Sequence, residues 1–336
     1  MIRSRTEIVS NLRKEAPPLK SEKSTAACGK ARGLLRRYIE LDKDVLLAKN
    51  LTVISRNWAM TIEVRKLAEP MLAEVVGADT TKPLSLDDRA TVNQALIDHC
   101  VLVFRGQMLK PQQVLDLADA FGPVEPHITV KYRHPDYPDL IVMTNMDENG
   151  EISEHETARG VGWHTDMCYM PLPAKATLLH TIEIPEEGGD TLFANMYMAL
   201  AEMPQALRDK IDGLQATFRY MGRAVDRNLR LEKADQDKPL QAHPIVKRHR
   251  ESGRESLFVN PTHTVGIAGW DDDAAQDLLA EVYEWGNQER FQARHAWRPG
   301  DTVIWDNRCS WHSATGKNPR RQPRRFYRAT IADRPH

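Results

Sequence analysis

The sequence predicts a mainly β protein with flanking helices (α+β), built around an antiparallel sandwich or barrel. Three observations carry this. From Thr61 onward, short strand-like runs alternate with amphipathic helices. The final third alternates strand and turn around one helix. Few intervals between those strands have room for the crossover helices that a parallel sheet needs. There is no internal repeat and no low-complexity tract.

Taken in order, Ser85-Leu86-Asp87-Asp88 has the form of a helix N-cap followed by an acidic first turn, and Val92, Leu96 and Ile97 continue at helical spacing to His99. Cys100 to Phe104 is a short buried strand. Pro111 opens a second helix whose apolar stripe, Val114, Leu115, Leu117, Ala118 and Phe121, is closed by Gly122-Pro123. Asn145 to Gly162 is polar and aperiodic, a long loop of the kind that serves as a lid. Ala176 to Ile182 alternates as a strand and runs into the turn Pro185 to Asp190. A helix is expected from about Met198 to Leu214, a polar insert from Tyr220 to Gln241, and a further helix from Asp271 to Asn287. Strands are expected at Leu257 to Asn260, Phe291 to Trp297, Thr302 to Trp305 and Arg324 to Ile331.

With 41% hydrophobic and 28% charged residues, the 336-residue chain has the composition of an ordinary globular protein. No apolar run approaches the roughly eighteen residues of a membrane span, and no signal-peptide pattern opens the chain, so a soluble cytoplasmic protein is expected. Cys28, Cys100, Cys168 and Cys309 form no C-x-x-C pair, which argues against a structural zinc site and predicts reduced thiols. Met1 to Trp58 carries thirteen Lys/Arg against six Asp/Glu, a net of +7 in a chain whose total is −1. Residues 1–59 are therefore expected to be a poorly structured basic extension, and Met60 to be the functional beginning of a single domain, 60–336. That extension lacks the aromatic interleaving of a single-strand binder, so no nucleic-acid partner is expected.

His164-Thr165-Asp166 is an H-x-D tripeptide. If it lies on a strand, residues i and i+2 share a face and both can reach one metal ion. A third ligand is available in Trp305-Asp306-Asn307-Arg308-Cys309-Ser310-Trp311-His312, where a β-like run ends in a polar turn that delivers His312. Two histidines and a carboxylate can form the facial triad of a non-haem iron site, although zinc hydrolases also use such sets. Downstream, Arg324 and Arg328 would share one strand face, with Arg325 on the other. Paired guanidinium groups near a metal suit two anions, one of which could be a dicarboxylate gripped bidentately. Arg320, Arg321 and Arg325 fit a solvated basic edge better.

From about Met60 to Pro335 the chain resembles the taurine / 2,4-dichlorophenoxyacetate dioxygenase family of Fe(II)- and 2-oxoglutarate-dependent enzymes. The residues that carry the resemblance are Trp163 to Asp166, Gly188-Gly189-Asp190-Thr191-Leu192, His243-Pro244-Ile245-Val246, Trp305 to Arg308 with His312, and Arg324 to Thr330. It implies a double-stranded β-helix (jelly roll), with His164, Asp166 and His312 as ligands of Fe(II) and as the catalytic centre. It also implies that the Thr191 hydroxyl and one arginine hold 2-oxoglutarate. That arginine is assigned to Arg324, with Arg325 as the fallback, and Arg328 would face the primary substrate or the other end of the co-substrate. Oxidative decarboxylation of 2-oxoglutarate with O2 would yield succinate and CO2 and hydroxylate a substrate C–H bond. The carboxylate of Asp166 favours hydroxylation over halogenation.

Arg328 suggests a small anionic substrate: a sulfonate, sulfate ester, carboxylate or aryloxy-acid. His127, Asn145 and Tyr169 are candidate pocket residues, Tyr169 as an aromatic wall, although each could instead be a loop or packing residue. The resemblance further implies a homo-oligomer, a dimer or tetramer, with no membrane partner. The rival classes are a metal-dependent hydrolase and a non-catalytic ligand-binding jelly roll.

Overall fold

The structure, a computed structural model, describes residues 62–126, 132–154, 160–223 and 239–334. The basic extension, Met60, Cys28 and His127 lie outside the described residues. Those described belong to the unit Thr61–His336.

In chain order the elements are β1 (Glu63–Lys66), β2 (Ala73–Val76), α1 (Leu86–His99), β3 (Val101–Phe104), α2 (Pro111–Asp119), β4 (Val124–Glu125), β5 (Leu140–Thr144), β6 (Ala176–Glu183) and β7 (Thr191–Asn195). Then come α3 (Met196–Ala201), α4 (Gln205–Ile211), β8 (Gln215–Phe218), β9 (Gln241–Pro244), β10 (Val246–Arg248), β11 (Glu255–Leu257), β12 (Thr264–Ile267) and α5 (Asp272–Gly286). The chain closes with β13 (Gln292–His295), β14 (Thr302–Asp306), β15 (Ser310–Ala314) and β16 (Arg325–Ile331). The protein is mainly β with some helices, as expected.

The helix starts follow the sequence signals. Ser85 accepts a bond from the Asp88 amide at 3.1 Å, and Asp271 caps α5 through the amides of Asp273 and Ala274. The single helix expected from Met198 to Leu214 is instead two, α3 and α4. Pro204 is the reason: it lacks an N–H and biases Met203 away from helical backbone, so the chain breaks and restarts there.

An eight-stranded sheet runs β1-β2-β3-β14-β6-β16-β4, with β5 also paired to β16, and only β2 and β3 run parallel. A second sheet, β13-β7-β15, is antiparallel. Period-two alternation explains how the large sheet is buried on both sides. Leu102, Phe104, Leu178, Ile304, Ala329 and Ile331 turn outward to pack under α1 and α2. Val101, Val103, Leu179, Val303, Trp305 and Phe326 turn inward and meet Phe193 and Ala293 of the smaller sheet. The outer face of that smaller sheet, with Ala194 and Trp311, is covered by α3, α4 and α5. Gly286 makes this covering possible, because a Cβ there would lie 2.6 Å from the Trp311 ring. Cys100, Cys168 and Cys309 are buried free thiols. Among the described residues, no helix is long and apolar enough to cross a membrane.

One buried histidine makes the fold sensitive to acid. His180 Nε2 accepts the Leu109 amide at 3.0 Å, so Nδ1 carries the hydrogen and donates to Thr302 Oγ1 at 2.8 Å. Burial pushes its pKa down to about 4, against a small opposing pull from Asp301. The unfolded chain therefore binds a proton below about 6.5 that the fold refuses, and stability falls as pH drops from there towards 4, by on the order of 3 kcal/mol. Thermal melts of the wild type should show this slope between pH 6.5 and 4. His180→Gln should flatten it.

Candidate active site

The inward face of the two-sheet core carries the candidate ligands. On β15, Trp311 points outward into the helices, so alternation turns His312 inward, where its ring lies 4.6 Å from that of Trp305 and 6.4 Å from that of Phe193. His164 is not on a regular strand. It forms an isolated antiparallel bridge to His312, with reciprocal backbone bonds of 3.0 and 2.9 Å, and Asp166 then enters a turn in which Met167 has φ +55°. The strand premise for the tripeptide is thus corrected, although its two side chains do converge. One ligand atom from each of His164, Asp166 and His312 lies within 4.8 Å of the others, and His312 Nε2 is 3.5 Å from Asp166 Oδ2. Neighbouring ligand atoms on a metal bonded at about 2.1 Å sit about 3 Å apart, so the set closes on an ion with little movement.

The protonation states fit the same use. His164 Nδ1 lies 2.8 Å from the Gly162 carbonyl, which can only accept, so the hydrogen is on Nδ1 and Nε2 keeps its lone pair. Burial, reinforced by His164, holds His312 well below the usual histidine range and therefore neutral. Burial alone would raise the Asp166 carboxyl, but the Arg328 guanidinium, with the two histidines and Thr177, outweighs it and keeps the carboxylate ionised.

Asp166 is also fixed in orientation. Asn307 Nδ2 donates to Thr177 Oγ1 at 3.0 Å, which directs the Thr177 hydrogen onto Asp166 Oδ2 at 2.7 Å. Asn307 Oδ1 accepts from Trp305 Nε1 at 3.0 Å. The other carboxylate oxygen, Oδ1, is held by Arg328 Nη2 at 2.8 Å, and Arg328 Nε has no partner.

Thr191 opens β7 on the inward face, and its Oγ1 accepts from Trp297 Nε1 at 3.0 Å. Both Gly188 and Gly189 have positive φ, and a Cβ on Gly188 would strike the Lys317 carbonyl at 2.3 Å, so this turn requires glycine. The turn also brings Gly189 O to Arg324 Nε at 3.2 Å. Arg324 and Arg328 share the inward face with Phe326, and the Arg324 guanidinium lies 4.4 Å from the Phe326 ring centroid. Burial pushes the Arg324 guanidinium down to about 10, which leaves it cationic at neutral pH, and Asp190 opposes the shift. Arg325 points the other way and pairs with Glu183, its side chain 40% exposed. Arg320 and Arg321 likewise pair with Glu186 and Glu154 at the surface.

Asn145 is buried, but its side-chain amide is taken up by backbone. Oδ1 accepts the Arg324 amide at 2.7 Å and Nδ2 donates to the Gln322 carbonyl at 3.0 Å, so it braces the start of β16. Tyr169 packs edge-on against Tyr220 and His263 at 5.2 and 5.0 Å, and His263 stands 6.0 Å from the His164 ring. His263, Tyr220, Thr177 and Trp297 were not found by sequence reasoning. None has a fixed spacing to the H-x-D motif, and each reaches the site only through the fold.

The taurine catabolism dioxygenase TauD, TfdA family matches residues 63–330. The alpha-ketoglutarate-dependent 2,4-dichlorophenoxyacetate dioxygenase of Cupriavidus pinatubonensis is 29% identical over 75% of this chain and 92% of its own length. The alpha-ketoglutarate-dependent sulfate ester dioxygenase of Pseudomonas putida is 28% identical over 84% of this chain and 93% of its own. Among solved structures, AAD-2 in complex with Mn(II) and N-oxalylglycine superposes with a TM-score of 0.72 at 26% identity, covering 82% of this chain and 98% of that one.

Proposed function

Because the chain belongs to the taurine catabolism dioxygenase TauD, TfdA family and is an Fe(II)- and 2-oxoglutarate-dependent dioxygenase, we propose that it hydroxylates a small organic anion whose charged end is held by Arg328. His164, Asp166 and His312 hold the iron in this reading. Thr191 and Arg324 hold the distal carboxylate of 2-oxoglutarate, with Asn145 bracing the backbone of Arg324. The large sheet and the β13-β7-β15 sheet are the two halves of a double-stranded β-helix that encloses them. Arg324 is preferred to Arg325 because the latter spends its charge on Glu183 at the surface.

Bound iron supplies the oxidising chemistry that couples decarboxylation of 2-oxoglutarate to C–H hydroxylation, with succinate and CO2 as co-products. The protein's part is to hold and orient. Thr177 and Arg328 fix Asp166, Gly162 fixes the tautomer of His164, and Trp305 and Phe193 keep water from His312.

The observation that carries the substrate reading is Arg328 beside Asp166, its side chain only 12% exposed and its Nε buried. Once Asp166 serves a dication and 2-oxoglutarate brings two negative charges to Arg324, the buried site is left with one net positive charge. Arg328 bears it and has an unpartnered Nε. An unpaired charge in such surroundings is costly, and an anionic substrate offsets it. Tyr169, Tyr220 and His263 form the wall that receives the substrate's organic body. The relatives named for an aryloxy-acid and for sulfate esters point to the same class.

A succinate-release screen tests this with aryloxyacetates, alkyl sulfonates and alkyl sulfates, each beside a neutral ester or amide of the same body. Turnover is expected only with the anions. Arg328→Met should raise KM for the accepted anion on the order of a hundredfold. Equal turnover of the neutral partner, or an unchanged KM in Arg328→Met, would refute the assignment.

A further inference from the structure

Trp297 follows β13 and is 8% exposed, and its indole nitrogen bonds to a hydroxyl instead of to backbone. We propose that Trp297 is a positioning residue for 2-oxoglutarate, its N–H setting the Thr191 hydroxyl and its ring setting, through Phe326, the Arg324 guanidinium. The inference rests on the reading of Thr191 and Arg324 as the co-substrate clamp.

The hydrogen bond between Trp297 and Thr191 has a fixed direction. An indole N–H can only donate, so at 3.0 Å the Thr191 oxygen must accept, and its own hydrogen is left to be donated elsewhere. A threonine without that partner has other choices. Its χ1 has two common wells, and its hydroxyl can turn back onto local backbone carbonyls. Trp297 therefore keeps the hydroxyl in the state that donates to a carboxylate.

Packing links the same tryptophan to the arginine through one shared ring. The Trp297 ring meets Phe326 edge-on at 4.7 Å, and Arg324 lies over the same Phe326 ring at 4.4 Å. One side chain thus touches Thr191 of β7 directly and reaches Arg324, in the lead-in to β16, through Phe326.

Trp297 is itself held rigidly. On one side its ring stands edge-on to His295 at 4.7 Å, and His295 Nε2 lies 3.2 Å from Asp301 Oδ2. Asp301 is fully buried, pairs with Arg105 at 2.8 Å and accepts the Arg298 amide at 3.0 Å, which ties the loop after Trp297 to the same anchor. Gly300 closes that loop at φ +76°, where a Cβ would lie 2.9 Å from the Gln107 amide. The bland alternative is a core tryptophan that satisfies its N–H on the nearest oxygen. It predicts lost stability and no selective effect on the co-substrate.

Trp297→Phe keeps an aromatic ring against Phe326 and removes the donor. With Fe(II) under anaerobic conditions, Kd for 2-oxoglutarate should rise five- to tenfold, as expected for one hydrogen bond. KM for 2-oxoglutarate should rise with it, kcat at saturation should fall less than threefold, and Fe(II) affinity should stay within twofold. Thr191→Val should weaken 2-oxoglutarate at least as much, and the double variant should be no weaker than Thr191→Val alone. An unchanged Kd in Trp297→Phe, or fully additive losses in the double variant, would overturn the proposal.

Should Trp297→Phe not fold, the wild type loaded with Zn(II) still tests it. The Trp297 indole ¹⁵N–¹H resonance, identified by its displacement in Thr191→Val, should move when 2-oxoglutarate is added, and a resonance that stays still contradicts the proposal. If neither Thr191→Val nor Arg324→Met weakens 2-oxoglutarate, the clamp reading itself is wrong. If both weaken it and Trp297→Phe does not, only the role of Trp297 falls.

Discussion

His312→Ala should lower affinity for a divalent metal by more than about a hundredfold, beyond the range seen when only a supporting residue is lost, and should abolish succinate formation. His312 is the one proposed ligand delivered by a regular strand, and it is held neutral by burial between Trp305 and Phe193. Its removal leaves His164 and Asp166, and Asp166 is then more fully engaged by Arg328. Isothermal titration with Mn(II) in the presence of 2-oxoglutarate measures the change. Metal binding retained within tenfold would mean that His312 is not a ligand. His312→Gln, closer in volume, separates this from the cavity that Ala creates: it should restore stability and not turnover.

Arg308→Ala should be the most destabilising single substitution near the site, at about 3–5 kcal/mol. Arg308 is only 3% exposed and binds Asp306 through both Nε and Nη2, at 2.9 and 2.6 Å. It also reaches Glu251 at 2.7 Å and Asp333 at 3.1 Å. His249 Nε2 lies 3.1 Å from the second oxygen of Asp306. Burial would raise the Asp306 carboxyl, but Arg308 and His249 hold it below the usual range, so its contribution is present above about pH 4 and lost as pH falls further. Removing Arg308 strands that buried charge. The network matters for function because it fixes the turn from Asp306 to Ser310, and so the register in which β15 offers His312. Urea denaturation gives the magnitude. A double variant, Asp306→Leu with Arg308→Met, should recover much of the loss, because an apolar pair leaves no charge to satisfy. A loss below 1 kcal/mol in Arg308→Ala would contradict this account.

The contrast between these residues shows what was legible in the sequence. The helix cap at Ser85, the helix from Asp271 and the strand at Ala176 rest on local rules, and the structure bears them out. The inward pair Arg324 and Arg328 was legible because alternation on one strand relates residues at fixed spacing. The local premise for His164 and Asp166 was wrong, since a bridge and a turn bring them together, so their convergence depends on β15 as partner. Strands β8 to β12 are three or four residues long, too short to show a period. Thr177 and Trp297 carry no local signal, because their side-chain bonds to Asn307 and Thr191 span more than 100 residues of chain. Asn145 could be singled out as close to the site, but its bonds to the backbone of Gln322 and Arg324 span about 180 residues of chain and leave no local trace. Family membership sets aside the rival hydrolase and the non-catalytic binder.

The central claim is that His164, Asp166 and His312 hold iron while Thr191 and Arg324 hold 2-oxoglutarate against it. Anaerobic addition of Fe(II) to the wild type with 2-oxoglutarate tests it most directly, through the weak visible charge-transfer absorption of a chelated 2-keto acid. The band should appear in the wild type, vanish in His312→Ala and Asp166→Ala, and require several-fold more 2-oxoglutarate in Arg324→Met. No band in the wild type, or an unchanged band in His312→Ala, would contradict the site described.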